Sequence, residues 1–589
     1  MVELFAAALG KIAPTQPASL IQLERPKQEN HGDYACNLAL LLAKPLRRNP
    51  REIAAQLLAA LPASPNVEKA EVAGAGFINL FLKPAAKQQI VADILDSGEN
   101  FGRNRLGAGK KILIEFVSAN PTGPLHVGHG RGAAVGASLA NVLDAAGYQV
   151  SREFYVNDAG RQMDILVLST WLRYLELLEL GRRGRVDDRA TGRVRSFDEL
   201  IVPFPSNAYQ GDYVRAMAKQ LVDSQGKRYV REASDLLRGV AEAQADPEVH
   251  LDGLIANAKK LLGKDYADIH RFVLTEQLND CRDDLSEFGV TFDAWFSEKS
   301  LFDSGQVEHT IELLEKKKQI YAKDGAKWFS SSKFGDEKDR VVLRENGEFT
   351  YFAGDIAYHL DKFERGFERV IDIWGADHHG YVARLKGALQ ALGFDADRLT
   401  VALVQFAVLY RSGKKVSMST RAGEFVTLRE LRQEVGNDAA RFFYVLRKSD
   451  QHLDFDLDLA KSQSNENPVY YVQYAHARIC SVLEEWGGDE AKLKLADMAP
   501  LTSAHELALL QRLIEYPEIV EGAARDFSPH LIAFYLKELA AEFHSYYNAT
   551  RFLVPEAQIR NARLALVAAV RQVLRNGLGL VGVSCPKKM

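Results

Sequence analysis

Residues 110–117 read KKILIEFV, a short apolar and β-branched run that predicts a buried parallel strand. A Pro/Gly loop follows, and then GRGAAVGASLANVLDAAG (130–147), where Leu139, Val142 and Leu143 recur at helical spacing and Gly147 is placed to end the helix. YQVSREFYV (148–156) alternates like the next strand. The unit is therefore strand, loop, helix, strand. The first hundred or so residues mix a helical pattern (REIAAQLLAALP) with the strand-like AGFINLFL, and end in the Gly- and Arg-rich FGRNRLGAGKK. We place a small α+β domain at 1–108. From about 161 to 325 the pattern is helical and charge-mixed, with no phosphate-binding loop of its own, and reads as an insertion. Strand-like segments return at DRVVLRENGEFTYFAGD and RVIDIWGAD, with helix GYVARLKGALQALG after the second, so the parallel sheet is expected to resume there. The fold class is α/β, with one split Rossmann-type domain at 109–460. From 461 to 589 VQYAHARICSVLEEW, LIAFYLKELAAEFHSYYNATRFL and ARLALVAAVRQVLRNGLGL predict an all-α helical bundle.

Composition changes this picture little. The chain has 589 residues, too many for one core, and its 47% hydrophobic and 26% charged content is that of an ordinary globular protein. No 18-residue apolar run offers a membrane span. Glu3 and the lack of a basic N-terminal stretch argue against a signal peptide, so the expected location is the cytoplasm. Cys36, Cys281, Cys480 and Cys585 lie far apart, which suggests neither a disulfide framework nor a zinc knuckle. A net charge of −4 does not decide for or against a nucleic acid, because local patches do. One patch is visible: from Gln558 onward there is no acid, while Arg560, Arg563, Arg571, Arg575, Lys587 and Lys588 are basic.

Two segments carry candidate chemistry. In SANPTGPLHVGHGR the histidines His126 and His129 stand where a post-strand loop enters a helix, which is an anion site by construction. Gly128 allows close backbone approach, and both imidazoles can donate to the oxygens of a triphosphate. The alternatives are histidines on a helix surface, or a metal pair completed by Asp377, His378 and His379 of GADHHG. The second segment, RSGKKVSMSTRAGEFVTL (411–428), clusters Arg411, Lys414, Lys415 and Arg421 with no acid until Glu424, and includes Gly413 and Gly423. It reads as a mobile loop suited to pyrophosphate, the alternative being a solvated basic loop.

HVGH, GADHHG and VSMSTRAG, in that order around a helical insertion, resemble the signatures of class I aminoacyl-tRNA synthetases. EFVSANPTGPLHVGHGR, YVNDAG, YFAGDIAYHLDKF, VGNDAARFFYVLRKSDQHLDFDLDLA and NPVYYVQYAHAR resemble the arginyl-tRNA synthetase family, and the resemblance covers essentially the whole chain. It implies an arginine–tRNA ligase that joins L-arginine to ATP, taken with Mg²⁺ and with no protein-bound metal, and passes the arginyl group to its tRNA. In this family the first step typically needs bound tRNA. A monomer is expected.

The resemblance also implies roles for individual residues. His126, His129, Lys414, Lys415 and Arg421 would be catalytic, and His126, Gly128, His129, Gly375, Asp377, His379, Met418 and Ser419 would bind ATP. Glu115, Ser118, Asn120, Tyr351 and Asp355 would bind arginine. Glu115 lies in an apolar strand, and a buried carboxylate without a partner costs several kcal/mol, so a cation should reach it; arginine is expected, internal pairing with a protein Lys or Arg being the alternative. Phe77, Asn79, Tyr471, Arg478, Tyr547, Arg551 and Met589 would contact tRNA, since exposed aromatics beside cations suit splayed RNA bases; the alternative is that the tyrosines are bundle core. One departure stands out. Where the family pattern is Lys-Met-Ser-Lys-Ser, this chain has Ser417-Met418-Ser419-Thr420-Arg421, and SANPTGPL holds no substitute lysine. The charge must come from Lys414, Lys415 or Arg421. A tRNA-binding paralogue with a dead site and a small-molecule nucleotidylyltransferase are the competing functions.

Overall fold

The computed structural model describes residues 1–26, 28–182, 204–243, 245–416 and 426–589. Strands β1 (Leu23–Glu24), β2 (Tyr34–Cys36), β3 (Val67–Ala73) and β4 (Phe77–Leu82) form an N-terminal antiparallel sheet in the order β1-β2-β4-β3. The helices Val2–Ile12, Leu38–Leu46 and Pro50–Ala60 share a core with it built from Phe5, Leu9, Leu42, Ile53, Leu57, Ile78 and Leu80. Asn49 starts the third helix by accepting the Arg51 N–H, with Pro50 at the first helical position, where its missing N–H costs nothing.

The centre is a five-stranded parallel sheet. It begins with β5 (Lys111–Glu115), the helix Val127–Ala145 and β6 (Gln149–Val156). That helix lies very close to the sheet: a Cβ at Gly136 would sit 2.4 Å from the Phe116 ring. Its small residues are thus a packing requirement. Gly147 follows with φ +83°, a conformation that suits glycine.

Three expectations are corrected. The region expected to be a helical insertion does contain the long helices Arg161–Arg182, Asp212–Gln225, Pro247–Leu262 and Lys264–Glu287, on a core of their own. Yet β7 (Ala294–Ser297) lies inside that range and pairs parallel with β6, as the edge of the main sheet. Strands β8 (Ile320–Lys323), β9 (Ala326–Phe329) and β10 (Arg340–Leu343) make a separate antiparallel sheet, so the DRVVL segment does not resume the parallel one. Finally, YFAGD opens the helix Tyr351–Glu364, because Phe352, Ile356, Leu360 and Phe363 bury one face at helical spacing. The parallel sheet resumes only with β11 (Arg369–Gly375) and β12 (Leu399–Val404), giving the order β12-β11-β5-β6-β7.

Beyond it, β13 (Ala407–Arg411) pairs antiparallel with β14 (Lys414–Lys415) and parallel with β15 (Leu453–Asp456). The helices Pro468–Trp486, Ala504–Arg525, His530–Ala549 and Ala557–Leu580 form the C-terminal bundle. Its core is continuous with that of the parallel sheet, running from Ile114 and Leu143 to Val472, Leu536 and Val570. Buried Arg441 bolts the junction, donating to the carbonyl oxygens of Val581 (3.0 Å) and Phe288 (3.0 Å). Among the described residues no helix is long and apolar enough to cross a membrane.

Candidate active site

The chain builds β5, β6 and β7 outward in one direction, then returns to lay β11 and β12 on the other side of β5. The order therefore reverses between β5 and β11, and the crevice at the carboxyl ends of those two strands is where an open α/β sheet binds its ligand. Three connections meet that edge: the 116–126 loop after β5, the 3₁₀ segment Ala376–Tyr381 after β11, and Gln405–Phe406 after β12.

His126 is the N-cap of the helix Val127–Ala145 and His129 its third residue. The Gly128 N–H donates to Nδ1 of His126 (3.0 Å), and the His126 N–H donates to Nδ1 of His129 (3.3 Å). Both Nδ1 atoms act as acceptors, so each neutral ring carries its proton on Nε2. Burial, with His126 adding to it, pushes the His129 imidazole down to about 3, and burial also lowers His126. The two rings, stacked with centroids 3.6 Å apart, are thus neutral donors at physiological pH. Gly128 is required, since a Cβ there would lie 2.8 Å from the His126 ring and 3.2 Å from that of Phe406.

The second basic segment converges on the histidines. Val127 donates its N–H to the carbonyl oxygen of Val426 (3.1 Å), and Leu428 donates to that of Leu125 (2.8 Å). Buried Arg131 donates to the carbonyl oxygens of Gln405, Lys448 and Gln451, fixing the histidine helix to the strands that frame the loop. Ser412 (φ +49°) and Gly413 (φ +70°) make a tight hairpin turn and present Lys414 and Lys415 on exposed β14, while 417–425 of the segment expected to be mobile lie outside the described residues. Arg411 is committed to Glu434 at 2.7 Å. Met418, Ser419 and Arg421 lie outside the described residues.

On the other side of the β5 loop the carboxylates gather. Glu115 is buried, and a cation is already beside it: the Lys362 Nζ lies 2.6 Å from Oε2, so the internal pairing given as the alternative is present and the buried charge does not depend on a substrate for a partner. Ser118 donates its hydroxyl to Oε1 of Glu115 (2.9 Å) and accepts the Tyr155 N–H (3.1 Å). Val117 (φ +69°) and Ser118 (φ +41°) hold left-handed backbone, strain that places this turn. Burial raises Asp355, against the hydroxyl of Tyr381, which donates to it. Asn120 is exposed and donates to Gln162 (2.8 Å), and Tyr351 is 61% exposed at the helix start, so it rims the crevice. Gly375 ends β11, and Asp377 and His379 are exposed just beyond it.

Sequence reasoning missed several groups. Glu298, directly after β7, is buried, and burial together with Asp355 pushes its carboxyl up to about 7. Phe406 is 51% exposed at the end of β12, beside Gly128. The one signal for both was position at the carboxyl end of a strand, which required the strands to be assigned first.

In the bundle, the Arg478 guanidinium lies over the rings of Tyr474 (4.3 Å) and Tyr547 (4.6 Å), and the Tyr471 and His544 rings are 4.4 Å apart. Tyr471 and Tyr547 are half-buried, whereas neighbouring Tyr546 is core, donating to Glu506. Tyr474 and His544 join the set without having been singled out. Arg551 lies past the helix end at Ala549, and Met589 is 51% exposed. The C-terminal basic patch is largely spent on Glu506, Glu490 and Glu99. In the N-terminal sheet Phe77 is half-buried, and Asn79, at 3% exposure, is buried.

Comparison with known proteins agrees along the chain. The arginyl tRNA synthetase N terminal domain matches residues 1–82, the class I (R) tRNA synthetase catalytic domain residues 90–176 and 257–456, and the DALR anticodon binding domain residues 472–589. An arginine–tRNA ligase of Nitrosospira multiformis is 70% identical over 97% of this chain and 94% of its own length, and one of Nitrosomonas eutropha 62% over 100% and 98%. The crystal structure of a putative arginyl-tRNA synthetase from Campylobacter jejuni is 32% identical, with a TM-score of 0.72 over 85% of this chain and 99% of that one. Arginyl-tRNA synthetase of Thermus thermophilus shares the fold, with a TM-score of 0.72 at 22% identity, over 100% of this chain and 99% of that one. With its two histidine-bearing loops at the strand-order reversal and a tyrosine- and arginine-bearing bundle behind them, the chain belongs to the arginyl-tRNA synthetase family of class I aminoacyl-tRNA synthetases.

Proposed function

We propose that this crevice joins L-arginine to ATP, as its magnesium complex, and that the chain then transfers the arginyl group to tRNA. The observation that carries the reading is the convergence of the two loops, in which the end of the 411–428 segment hydrogen-bonds to both sides of His126. A triphosphate lying there meets the Nε2–H groups of His126 and His129, Lys414 and Lys415 on the hairpin, and the N-terminal end of a helix. Gly375, Asp377 and His379 border the nucleoside side, and Phe406 offers a ring face. Met418, Ser419 and Arg421, from the same stretch of sequence, are assigned to ATP binding and catalysis by the family resemblance alone. Arginine lies with its guanidinium toward Glu115, Asp355 and Glu298, near Ser118 and Tyr351, and its carboxylate toward Asn120.

No enzyme nucleophile is needed. The arginine carboxylate attacks the α-phosphorus and pyrophosphate leaves, so the residues act by positioning and by stabilising the charge that grows on the phosphate. Neutral imidazoles suit this role, because they donate without competing for the arginine carboxylate. The anticodon arm lies on the surface of Tyr471, Tyr474, Arg478 and Tyr547, with Arg551 and Met589 further along, and half-buried Phe77 belongs to a second tRNA contact, whereas buried Asn79 does not reach the surface. The protein acts as a monomer in the cytoplasm. ATP–pyrophosphate exchange, measured with each amino acid and with and without tRNA, tests the reading: exchange with arginine alone among the amino acids is expected. Absence of exchange under every condition would leave a tRNA-binding paralogue.

A further inference from the structure

One helix carries two sets of groups. Asp355, His359 and Lys362 of Tyr351–Glu364 are spaced four and three residues apart and therefore share a face. Asp355 meets Tyr381 at the crevice, while His359 and Lys362 run behind it into the sheet. Lys362 is 0% exposed; its Nζ donates to Oε2 of Glu115 (2.6 Å) on β5 and to Oδ1 of Asp372 (2.9 Å) on β11, and lies 4.1 Å from the centroid of the Tyr358 ring. Glu115 and Asp372 are register partners on adjacent parallel strands, at the point where the strand order reverses. The two ring nitrogens of His359 face the Asp355 carbonyl oxygen (2.8 Å) and Oδ2 of Asp372 (2.6 Å).

We propose that Lys362 is a positioning residue for arginine: a buried ammonium that keeps Glu115 ionised and sets it against Asp355 by fastening the helix that carries Asp355 to both strands. The inference rests on the arginine site proposed above. Two carboxylates side by side in a dry interior repel each other and would not both ionise, and one shared ammonium resolves this. Asp372 has His359 against its Oδ2 as well as Lys362 against its Oδ1, whereas Glu115 has Lys362 on one oxygen and the neutral Ser118 hydroxyl on the other. Burial raises Glu115 against the pull of Lys362, so Glu115 is the member with the greater need of that ammonium. The groups facing Glu115 are Lys362, His359 and Tyr358 from the helix, Asp372 from β11, Tyr155 from β6, the register partner Glu153 on the same strand, already met by Arg365 and the Tyr358 hydroxyl, and the Ser118 hydroxyl. Lys362 is the one of these that brings an ammonium to it.

The experiment is steady-state pyrophosphate exchange with full-length protein and tRNA, at pH 6 to 9. Lys362→Met keeps the length and removes the charge; the arginine KM at pH 7 is expected to rise tenfold or more, while the ATP KM stays within twofold. The arginine KM of the variant should keep falling above pH 8, where that of the parent is flat, because Glu115 then ionises without help. Lys362→Arg should restore an arginine KM within threefold of the parent. If Lys362→Met does not fold, Lys362→Met with Asp372→Asn removes one charge of each sign, and the same rise is expected. Asp355→Asn is measured alongside. An unchanged arginine KM in that variant overturns the site and this inference with it. A raised KM in Asp355→Asn, with a parental KM and pH profile in the Lys362 variants, overturns the inference alone.

Discussion

Glu298 should make arginine binding pH-dependent in the neutral range. Its carboxyl is raised to about 7, by burial first and by the nearby Asp355 second, and its Oε2 is buried without a hydrogen-bond partner. A guanidinium arriving in the crevice would favour the ionised form. With the free protein titrating near 7 and the complex fully ionised, the apparent Kd scales with one plus the proton concentration over the acid constant, so it falls about tenfold between pH 6 and pH 8. At pH 7 binding should release about half a proton. The sign for stability is opposite. A carboxyl raised from 4.5 to about 7 carries no penalty below the unfolded value. It destabilises the arginine-free fold progressively as pH rises from 4.5 to 7, by about 3 kcal/mol in all. Glu298→Gln removes both effects: arginine affinity loses its slope and weakens at pH 8, while the arginine-free protein becomes more resistant to denaturant at pH 8 and unchanged near pH 4.5. Calorimetry in two buffers of different ionisation heat reads affinity and proton release together. A parent whose affinity is flat from pH 6 to 8, or a Gln variant that keeps the slope, would refute the assignment to Glu298.

Asp355→Asn and Glu115→Gln should each raise the arginine KM about tenfold or more, the loss expected of a charge-assisted hydrogen bond at roughly 1.5–3 kcal/mol, with ATP binding barely changed. Of Lys414→Ala and Lys415→Ala, at least one should lower kcat more than about tenfold while sparing arginine KM, the signature of an interaction made in the transition state; if both stay within about twofold, the pyrophosphate charge comes from elsewhere, Arg421 first. Tyr547→Ala should weaken tRNA binding by about 1–3 kcal/mol with the melting temperature kept. Tyr546→Ala should instead destabilise the fold by something like 3–5 kcal/mol, and a reversal of the two phenotypes in tRNA titration and thermal unfolding would sink the placement of the anticodon surface.

What was legible in the chain was what repeats over short distances. The β5, helix, β6 unit, the histidines at a helix entrance and the helical character of the C-terminal end all follow from period and capping within a couple of dozen residues. Errors arose where a short pattern fits two structures. EFTYFAGD alternates well enough for a strand, yet Ile356, Leu360 and Phe363 downstream show a helical stripe, and burial of that stripe decides the matter. Ala294–Ser297 is only four residues long, and reads as part of a helical region until it is seen to complete the sheet edge. Tyr546 and Tyr547 are adjacent letters whose side chains point 100° apart on a helix, one into the core and one toward Arg478.

Glu115 shows why site chemistry is harder to read than fold. The physical premise, that a buried carboxylate needs a cation, holds, but the cation stands 247 residues away, on a helix that only the closed sheet brings behind it. A site that binds a cation needs more negative charge than the protein neutralises. Lys362 serves Glu115 and Asp372 together, and Asp355 is met by a neutral tyrosine hydroxyl, not a cation. Glu298 stays partly protonated near neutral pH and so limits the repulsion until the ligand arrives. The lysine thus removes the part of the repulsion that would keep Glu115 protonated. The remaining imbalance is concentrated on the crevice side, at Asp355 and Glu298, where a guanidinium can reach it.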